Sequence, residues 1–445
     1  MINTSVLEEL EYQKVLNHIV NYAVTENGKE YVSSLLPLCD PDKICKECEL
    51  VNQAKEILIR NIPPQIDYIS DLTETLAQSR VEGVVLSSKR ILEVLKLAKT
   101  SRALHQFLKS NNTIAPDLAI FQNSLLIDKV FEHHIEKVID DTGEIKEKAS
   151  QKLSDIRKQI REKQNSLVKS INSIMKSLDE QGIVREDYLT LRDGRMVIPV
   201  KSEHKRHLRG FIHSESATGQ TVYIEPEQTL EMNNEIVTLG FSEKREIERL
   251  LKDLTKLIGE ASEKLKEALS TIVYIDSLFA RAKYSIEILG AFPSIDEKKP
   301  FTIIDARHPV LLRKLGRNAA IPLNLELDNQ KVIIITGPNA GGKTVVLKTI
   351  GLLCLLLQSG IHIPVSPDSN LHIFNNILID IGDEQSLEDD LSTFSSHLNN
   401  LKNILFSSDN NSLVLLDEIG TGTDPIEGSA LAAAVLLKLR DIGSL

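Results

Sequence analysis

One stretch of the sequence could bind a nucleoside triphosphate with Mg²⁺. Glycines let the backbone turn its N–H groups toward a phosphate. A lysine at the end of the loop would place a positive charge beside the β- and γ-phosphates, and the hydroxyl after it can ligate Mg²⁺. The predicted nucleotide-binding residues fit G-x-x-x-x-G-K-[ST] and are Gly337, Pro338, Asn339, Ala340, Gly341, Gly342, Lys343 and Thr344.

The flanking residues favour a phosphate-binding loop over a chance match. Val332 to Ile335 are β-branched, which predicts a strand buried on both faces. Val345 to Ser359 are largely apolar and predict a helix, whose N-terminus would direct its dipole at the anion.

A second apolar run ends in two carboxylates. Ser412 to Leu416 predict another buried strand, followed by Asp417 and Glu418. Two solvated acids at a strand end are the alternative. Beside a phosphate loop, however, Asp417 is expected to join Thr344 in the Mg²⁺ shell, and Glu418 to orient or deprotonate the attacking water.

An acidic stretch and a hydroxyl-rich stretch lie between these two runs. Residues 383–390 are mostly acidic, and residues 391–397 read Leu-Ser-Thr-Phe-Ser-Ser-His. Local sequence leaves two interpretations open. The first is a solvated loop before a helix capped by Ser392 or Thr393. The second is a helix start that binds phosphate.

Composition indicates a soluble, multidomain, cytoplasmic protein. The 445 residues are 42% hydrophobic and 26% charged, and the net charge is −11. No apolar run reaches the ~18–20 residues that span a bilayer, so no membrane partner is expected. Because the chain is acidic, contact with nucleic acid requires a local basic patch. The absence of Trp argues against a base-stacking platform.

Hydrophobic periodicity divides the chain into helical and α/β parts. Residues 144–180 and 229–269 each predict a long amphipathic helix with coiled-coil spacing, and we expect the two to pair antiparallel. Residues between them predict two β-hairpins, and strands alternate with helices from about residue 300. The expected domains are 1–184, a helical core with the first long helix; 185–227, a β-rich insertion; 228–290, the returning helix; and 291–445, a P-loop ATPase domain.

A basic cluster lies in the β insertion. Its candidate nucleic-acid-binding residues are Lys201, Lys205, Arg206 and Arg209, with His204 and His207 among them. Charge runs are usually solvated loops, but this one stands out in an acidic chain. Nothing near it resembles a base-reading motif, so phosphate contacts are expected.

Several motifs together resemble the MutS ATPase domain, and more closely the second MutS branch of bacteria. They are GPNAGGKT, STFSSH, LVLLDEIGTGTDPIEGSALA and Asp305-Ala306-Arg307-His308-Pro309. The resemblance extends over nearly the whole chain. It implies an ABC-type ATPase with lever helices and a clamp insertion, acting as a homodimer. Lys343, Glu418 and Ser392 would be catalytic, Ser392 reaching the γ-phosphate of the other subunit.

The resemblance also implies positions for other residues. Asp424 would lie near the partner subunit, and adenine would lie against Ile321 and its neighbours. His308 is expected to be structural. The mismatch-reading domain of repair MutS proteins has no counterpart at the start of this sequence. The family's Thr-Thr-His strand and its Smr nuclease domain also have no counterpart in the sequence up to Leu445. We therefore expect weak ATP hydrolysis and no nuclease activity.

Three functions follow, with unequal support. The first is an ATP-driven clamp that acts on branched or recombining DNA and restrains recombination. The second is a quality-control ATPase that binds rRNA and splits collided ribosomes, which this sequence does not separate from the first. A structural ATPase like SMC or Rad50 is disfavoured, because its signature is of the L-S-G-G-Q type and its coiled coils are far longer.

Overall fold

The computed structural model describes residues 3–60, 62–180, 183, 190–328, 330–338, 341–381, 390–420 and 424–445, with the backbone alone for 390–396. Its α-helices, numbered in chain order, are Thr4–Glu9 (α1), Tyr12–Val20 (α2), Glu26–Ser33 (α3), Pro41–Ile59 (α4), Thr73–Gln78 (α5), Ser88–Ser110 (α6), Pro116–Ala119 (α7), Lys129–Val138 (α8), Gln151–Asp179 (α9), Leu230–Glu287 (α10), Pro309–Leu315 (α11), Lys343–Gln358 (α12), Asp390–Ser407 (α13) and Pro425–Ile442 (α14). Its strands are Thr190–Arg192 (β1), Arg195–Lys201 (β2), Gly210–Glu215 (β3), Thr221–Pro226 (β4), Ser294–Ile295 (β5), Phe301–Ala306 (β6), Leu323–Leu327 (β7), Asn370–Leu371 (β8), Asn376–Asp380 (β9) and Ser412–Leu416 (β10). Short 3₁₀ helices lie at Ile120–Ser124, Ser202–His204 and Glu227–Thr229. In this described part of the chain, none of the helices has the length and apolar character of a membrane span.

The chain forms two compact units. The first contains Met1–Asp71, Thr100–Ile127 and Glu267–Leu445. Its core centres on α12, whose residues from Thr349 to Gln358 are all buried. A Cβ on Gly351 would lie 2.8 Å from side-chain atoms of both Leu10 and Leu415, so a larger residue there would displace these leucines.

A parallel pair of strands lies in the same unit. β9 and β10 pair in register from Ser412↔Asn376 to Leu416↔Asp380. One set of their side chains, including Leu413 and Leu415, joins the core around α12. The other set, including Val414, packs with α13 and α14. This sandwich of two strands between helices fixes the position of the residues that follow β10.

The predicted strand at Val332–Ile335 is wrong for the described structure. These residues form no strand there, and Ile334 is 70% exposed. A cavity of about 600 Å³ separates the run from Val414 and Leu416 of β10. On that edge of β10 the backbone of Leu445 bonds to Ser412 and Val414. The run lacks an adjacent strand, and a strand needs partners for its backbone groups as well as apolar side chains.

The second unit contains Leu72–Lys99 and Asp128–Lys266, and its longest elements run antiparallel. Lys152 of α9 pairs with Glu246 of α10 at 3.2 Å, and Arg157 pairs with Glu243 at 2.7 Å. As residue numbers rise along α9 they fall along α10, which confirms the predicted antiparallel pairing. The predicted bounds need correction. α9 begins at Gln151 because residues 139–145 instead form a turn closed by an Ile139–Ile145 bridge, and α10 continues to Glu287.

The two predicted hairpins are present as one antiparallel sheet in the order β1-β2-β4-β3. The part of the first hairpin before Thr190 lies outside the described residues. The sheet buries Ile198, Val200, Val222 and Ile224 against the end of α9. The exposed basic residues between β2 and β3 therefore project from a packed support.

Candidate nucleotide-binding site and nucleic-acid interface

The phosphate-binding loop leads directly into α12. Gly342 has φ 81°, a left-handed conformation that favours glycine, and is the N-cap of the helix. The helix thus begins at Lys343, two residues before the predicted start. The ammonium of Lys343 donates to the carbonyl oxygen of Gly337 at 2.9 Å, so the lysine folds back over its own loop. Asn339 and Ala340 lie outside the described residues.

The structure brings together the two residues predicted to hold Mg²⁺. The Thr344 hydroxyl donates to the Asp417 carboxylate at 2.5 Å, although 73 positions separate them in the sequence. α12 supplies the hydroxyl, and the end of β10 supplies the acid. A hydroxyl and a carboxylate are the oxygen donors that Mg²⁺ accepts, so these residues fit the ion.

The residues after Asp417 are held in a sharp turn. The backbone N–H of Asp417 donates to the carbonyl oxygen of Asp380 at 2.9 Å. Glu418 has φ 49°, an uncommon conformation for a residue with a side chain, and its side chain is exposed. A Cβ on Gly420 would lie 2.5 Å from the carbonyl oxygen of Gly428 in α14, which explains the glycine there. Lys343, Asp417 and Glu418 line the same cavity beside β10.

The helix that carries Ser392 is tied to this edge of the strands. Asn400 donates to Asp380 at 2.8 Å, and His397 Nδ1 lies 3.3 Å from the same carboxylate. Ser392 and Thr393 lie within α13. Neither is therefore the helix cap that we had predicted as one alternative, because the backbone is already helical at Asp390. The side chain of Ser392 and the acidic residues 383–389 lie outside the description.

The stretch predicted to face adenine is positioned by ion pairs. Asp305 binds Arg307 at 2.7 Å and Arg317 at 2.9 Å, and Arg307 also donates to the carbonyl oxygen of Ala320 at 3.2 Å. These contacts fix the backbone before Ile321, whose side chain is 88% exposed. Ile321 is not among the described residues that line the cavity of Lys343.

Two further residues of the predicted set have structural surroundings. His308 is 7% exposed at the N-cap of α11, and burial lowers its pKa, which favours the neutral ring. Asp424 is exposed and caps α14 by accepting from the N–H of Ile426 at 2.9 Å.

The basic residues of the second unit form a surface around the turn between β2 and β3. Lys205, Arg206 and Arg209 are exposed, whereas Lys201 is half-buried at the end of β2. None of the first three forms an ion pair with another described residue. We name these four residues the basic tip. The charges of Lys205, Arg206 and Arg209 are available to an anionic partner.

Two apolar residues next to the basic tip were missed in the sequence. Phe211 and Ile212 of β3 are 57% and 52% exposed. Their strand pairs with β4. In β4 the buried carboxylate of Glu225 binds His213 of β3 at 2.6 Å and Arg195 at 2.7 Å. The signal was present as two adjacent apolar residues directly after the basic run, but alternation along a strand predicts one of them buried.

Comparison with known proteins shows what the chain resembles. Residues 333–444 match the family described as MutS domain V. The whole chain is similar to proteins named Endonuclease MutS2. The relative from Halothermothrix orenii is 38% identical over 448 residues, 99% of this chain and 56% of the relative. Those from Geobacillus sp. and Clostridioides difficile are each 36% identical, over 100% of this chain and 56% of each relative.

This chain resembles the MutS family along its whole length. It spans little more than half the length of the curated relatives it matches. MutS domain V is a P-loop ATPase domain, and the matched stretch includes Lys343, Thr344, Asp417 and Glu418. The resemblance inferred from the motifs is confirmed. The roles of the individual residues stay predictions, which the geometry above supports to different degrees.

Proposed function

We propose that this chain is an ATP-dependent DNA-binding protein of the MutS type, working as a homodimeric clamp on branched or recombining DNA. The observation that carries the ATP site is the 2.5 Å contact between Thr344 and Asp417. It joins the phosphate-binding loop to the acidic end of β10, an arrangement that Mg²⁺–nucleotide binding requires.

Each residue of the site has a distinct task in ATP hydrolysis. The ammonium of Lys343 leaves the Gly337 carbonyl and binds the terminal phosphates. Thr344 and Asp417 hold Mg²⁺, which, when bound, neutralises phosphate charge. Glu418 orients or deprotonates the attacking water, and its exposed position beside Lys343 in the shared cavity leaves it accessible.

We infer that hydrolysis by the 445-residue chain is slow. The run before the loop is largely exposed and has no strand beside it among the described residues, so Gly337 is not anchored by a sheet there. This requires rearrangement before catalysis, and rearrangement at the moment of reaction raises the barrier.

The test of the ATP site is nucleotide binding by wild type and Lys343→Ala, measured by calorimetry with ATP and Mg²⁺. We expect the variant to lose at least about tenfold in affinity, since a charge-assisted contact to phosphate contributes ~1.5–3 kcal/mol. Lys314→Ala is the matched control, because Lys314 is an exposed lysine on α11. Equal affinity in Lys343→Ala and wild type would contradict the site.

The proposal of a shared site rests on the resemblance to the MutS family, and α13 carries the residue concerned. His397 and Asn400 fix this helix to Asp380 of the same chain, next to Asp417. With its helix held at the edge of its own site, Ser392 is proposed to complete the site of a second copy. Mixing Lys343→Ala with Ser392→Ala should restore one intact site per dimer and therefore part of the ATP turnover. If the mixture is no more active than either variant, Ser392 does not act across the dimer.

The proposed nucleic-acid partner is DNA held by the basic tip through its phosphates. Lys205, Arg206 and Arg209 are exposed and have no acidic partner among the described residues, and no base-reading motif lies beside them. Binding to four-way DNA junctions and to collided ribosomes, measured side by side, tests this proposal. Tighter binding to junctions is expected, and preference for ribosomes would favour the quality-control alternative.

A further inference from the structure

A second cavity lies in the first unit, away from the phosphate-binding loop. Its volume is about 420 Å³, and α2, the end of α10 and α11 form its walls. None of the described residues of the loop, 337–338 and 341–344, lines it. Its size falls in the range of small-molecule sites, roughly 300–1,000 Å³.

Three polar groups at this cavity are buried without hydrogen-bond partners among the described residues. They are the hydroxyl of Tyr284, Nδ1 of His18 and one terminal nitrogen of Arg317. Tyr284 is 2% exposed, and burial raises its pKa, so its hydroxyl remains a proton donor. An unsatisfied buried group costs ~1–3 kcal/mol, so a small side-chain movement that brought these atoms to the cavity surface and to a ligand would be favoured.

The charges around the cavity favour an anion. Lys14, Arg313 and Arg317 all line it, with Glu287 as the acid among the lining residues. Glu287 is already bound by Nε2 of His18 at 2.6 Å and by the Tyr22 hydroxyl at 2.8 Å.

The basic groups differ in how far they are satisfied. Lys14 pairs with Glu11 at 2.8 Å, and Arg317 pairs with Asp305 at 2.9 Å. Arg313 is exposed at the cavity and makes no ion pair with the described residues. Its guanidinium can therefore donate two hydrogen bonds to a carboxylate or phosphate in a bidentate contact.

The remaining lining is apolar. Side chains of α2, of α11 and of the residues after α10 contribute to it: Val15, Ile288, Leu289, Pro309, Val310 and Leu312. An apolar wall with a few convergent polar groups is the usual composition of an organic-ligand site. A bare inorganic anion would leave this surface without a partner.

We propose that this cavity binds a small organic anion that has an apolar, ring-sized body and one carboxylate or phosphate group. Arg313 binds the anionic group. The body packs against Val310 and Leu312. The site is separate from the ATP site and does not depend on it.

Calorimetry with three naphthalene probes tests the proposal on the full chain, with ATP and Mg²⁺ present to occupy the nucleotide site. 2-Naphthoate and 2-naphthyl phosphate carry the anion, and 2-naphthol is the uncharged counterpart. Wild type should bind an anionic probe about tenfold more tightly than 2-naphthol, and Arg313→Ala should lose that preference. The tighter of the two anionic probes identifies the headgroup.

Two variants separate this cavity from other apolar surfaces, including the cavity beside β10. Val310→Trp should block binding by filling the space, and Lys314→Ala should leave it unchanged because Lys314 does not line the cavity. Unfolding temperature checks that each variant is folded. The proposal is overturned if wild type binds no anionic probe, if 2-naphthol binds as tightly, or if Arg313→Ala and Val310→Trp bind like wild type.

Discussion

Two apolar runs that look alike in the sequence have different structures. Ser412–Leu416 is a strand whose residue Leu415 is 4% exposed, between the core of α12 and the helices α13 and α14. Residues 332–335 are also apolar, and all four are β-branched, but they form no strand in the described structure and leave Ile334 70% exposed.

The difference lies in the neighbours, not in the runs themselves. β10 pairs with β9 over five positions, so its backbone groups are satisfied and its two faces are covered by helices. Residues 332–335 face a cavity where an adjacent strand would lie. A β-branched run therefore indicates which side chains can be buried, whereas pairing decides whether they are.

The largest expected effect is a difference in unfolding free energy between a mutation in β10 and a mutation in residues 332–335. Leu415→Ala should lower the free energy of unfolding by ~2–5 kcal/mol, because it leaves a void beside Gly351 in the core. Ile334→Ala should change it by less than ~0.5 kcal/mol, since an exposed side chain loses little contact. Urea unfolding measures both. Similar losses in the two variants would show that residues 332–335 are buried in solution.

The next prediction concerns the exposed charges of the basic tip. It asks whether they bind DNA phosphates, as the largely exposed residues 332–335 would bind a neighbouring strand. If Lys205, Arg206 and Arg209 each contact a phosphate, replacing all three with Ala should reduce the slope of log affinity against log salt by about 2.7, at ~0.9 per contact. Replacing Lys298, Lys299 and Lys314 removes the same charge elsewhere and should leave the slope nearly unchanged. An unaltered slope in the tip variant excludes phosphate contacts there.

A smaller effect is expected where the loop and β10 meet. Thr344→Ala removes the hydroxyl that contacts Asp417, so it should reduce the Mg²⁺-dependent part of ATP affinity about tenfold. Affinity measured with a chelator present is the internal control and should be similar in variant and wild type. A loss that persists without Mg²⁺ would instead mean that Thr344 supports the loop rather than the ion.

Local sequence patterns predicted much of the fold. They failed where the structure of a segment depends on pairing with residues far away in the sequence. The hairpins around β1 to β4 and the antiparallel helices α9 and α10 follow from turn residues and periodicity, which act over short distances in the sequence. The contact of Thr344 with Asp417 was predictable because a known loop type requires it. The exposure of Ile334 was not, because it depends on what lies beside the run.

The cavity lined by Tyr284 and Arg313 had no signal in the sequence. Its residues come from three separate helices, and each helix is an ordinary amphipathic segment. Unpartnered buried atoms can be recognised after folding and not before, because their lack of partners is a property of the assembled structure.

The smallest expected effect is on stability at acid pH, and it concerns Glu246 between the paired helices α9 and α10. Glu246 of α10 is 1% exposed and is bound by Arg249, Ser150 and Lys152, which lower its pKa to about 2. Because its folded pKa lies below the unfolded value of 4.5, its contribution to stability is present above pH 4.5 and is lost as the pH falls toward 2. Glu246→Gln should therefore be less stable than wild type near neutral pH, and the difference in unfolding free energy should narrow as the pH falls from 4.5 to 2.

Exposed Glu248 gives the control, since Glu248→Gln should leave the acid unfolding curve almost unchanged. A gap that stays constant from neutral pH to pH 2 would mean that Glu246 contributes by packing between α9 and α10 rather than by its charge.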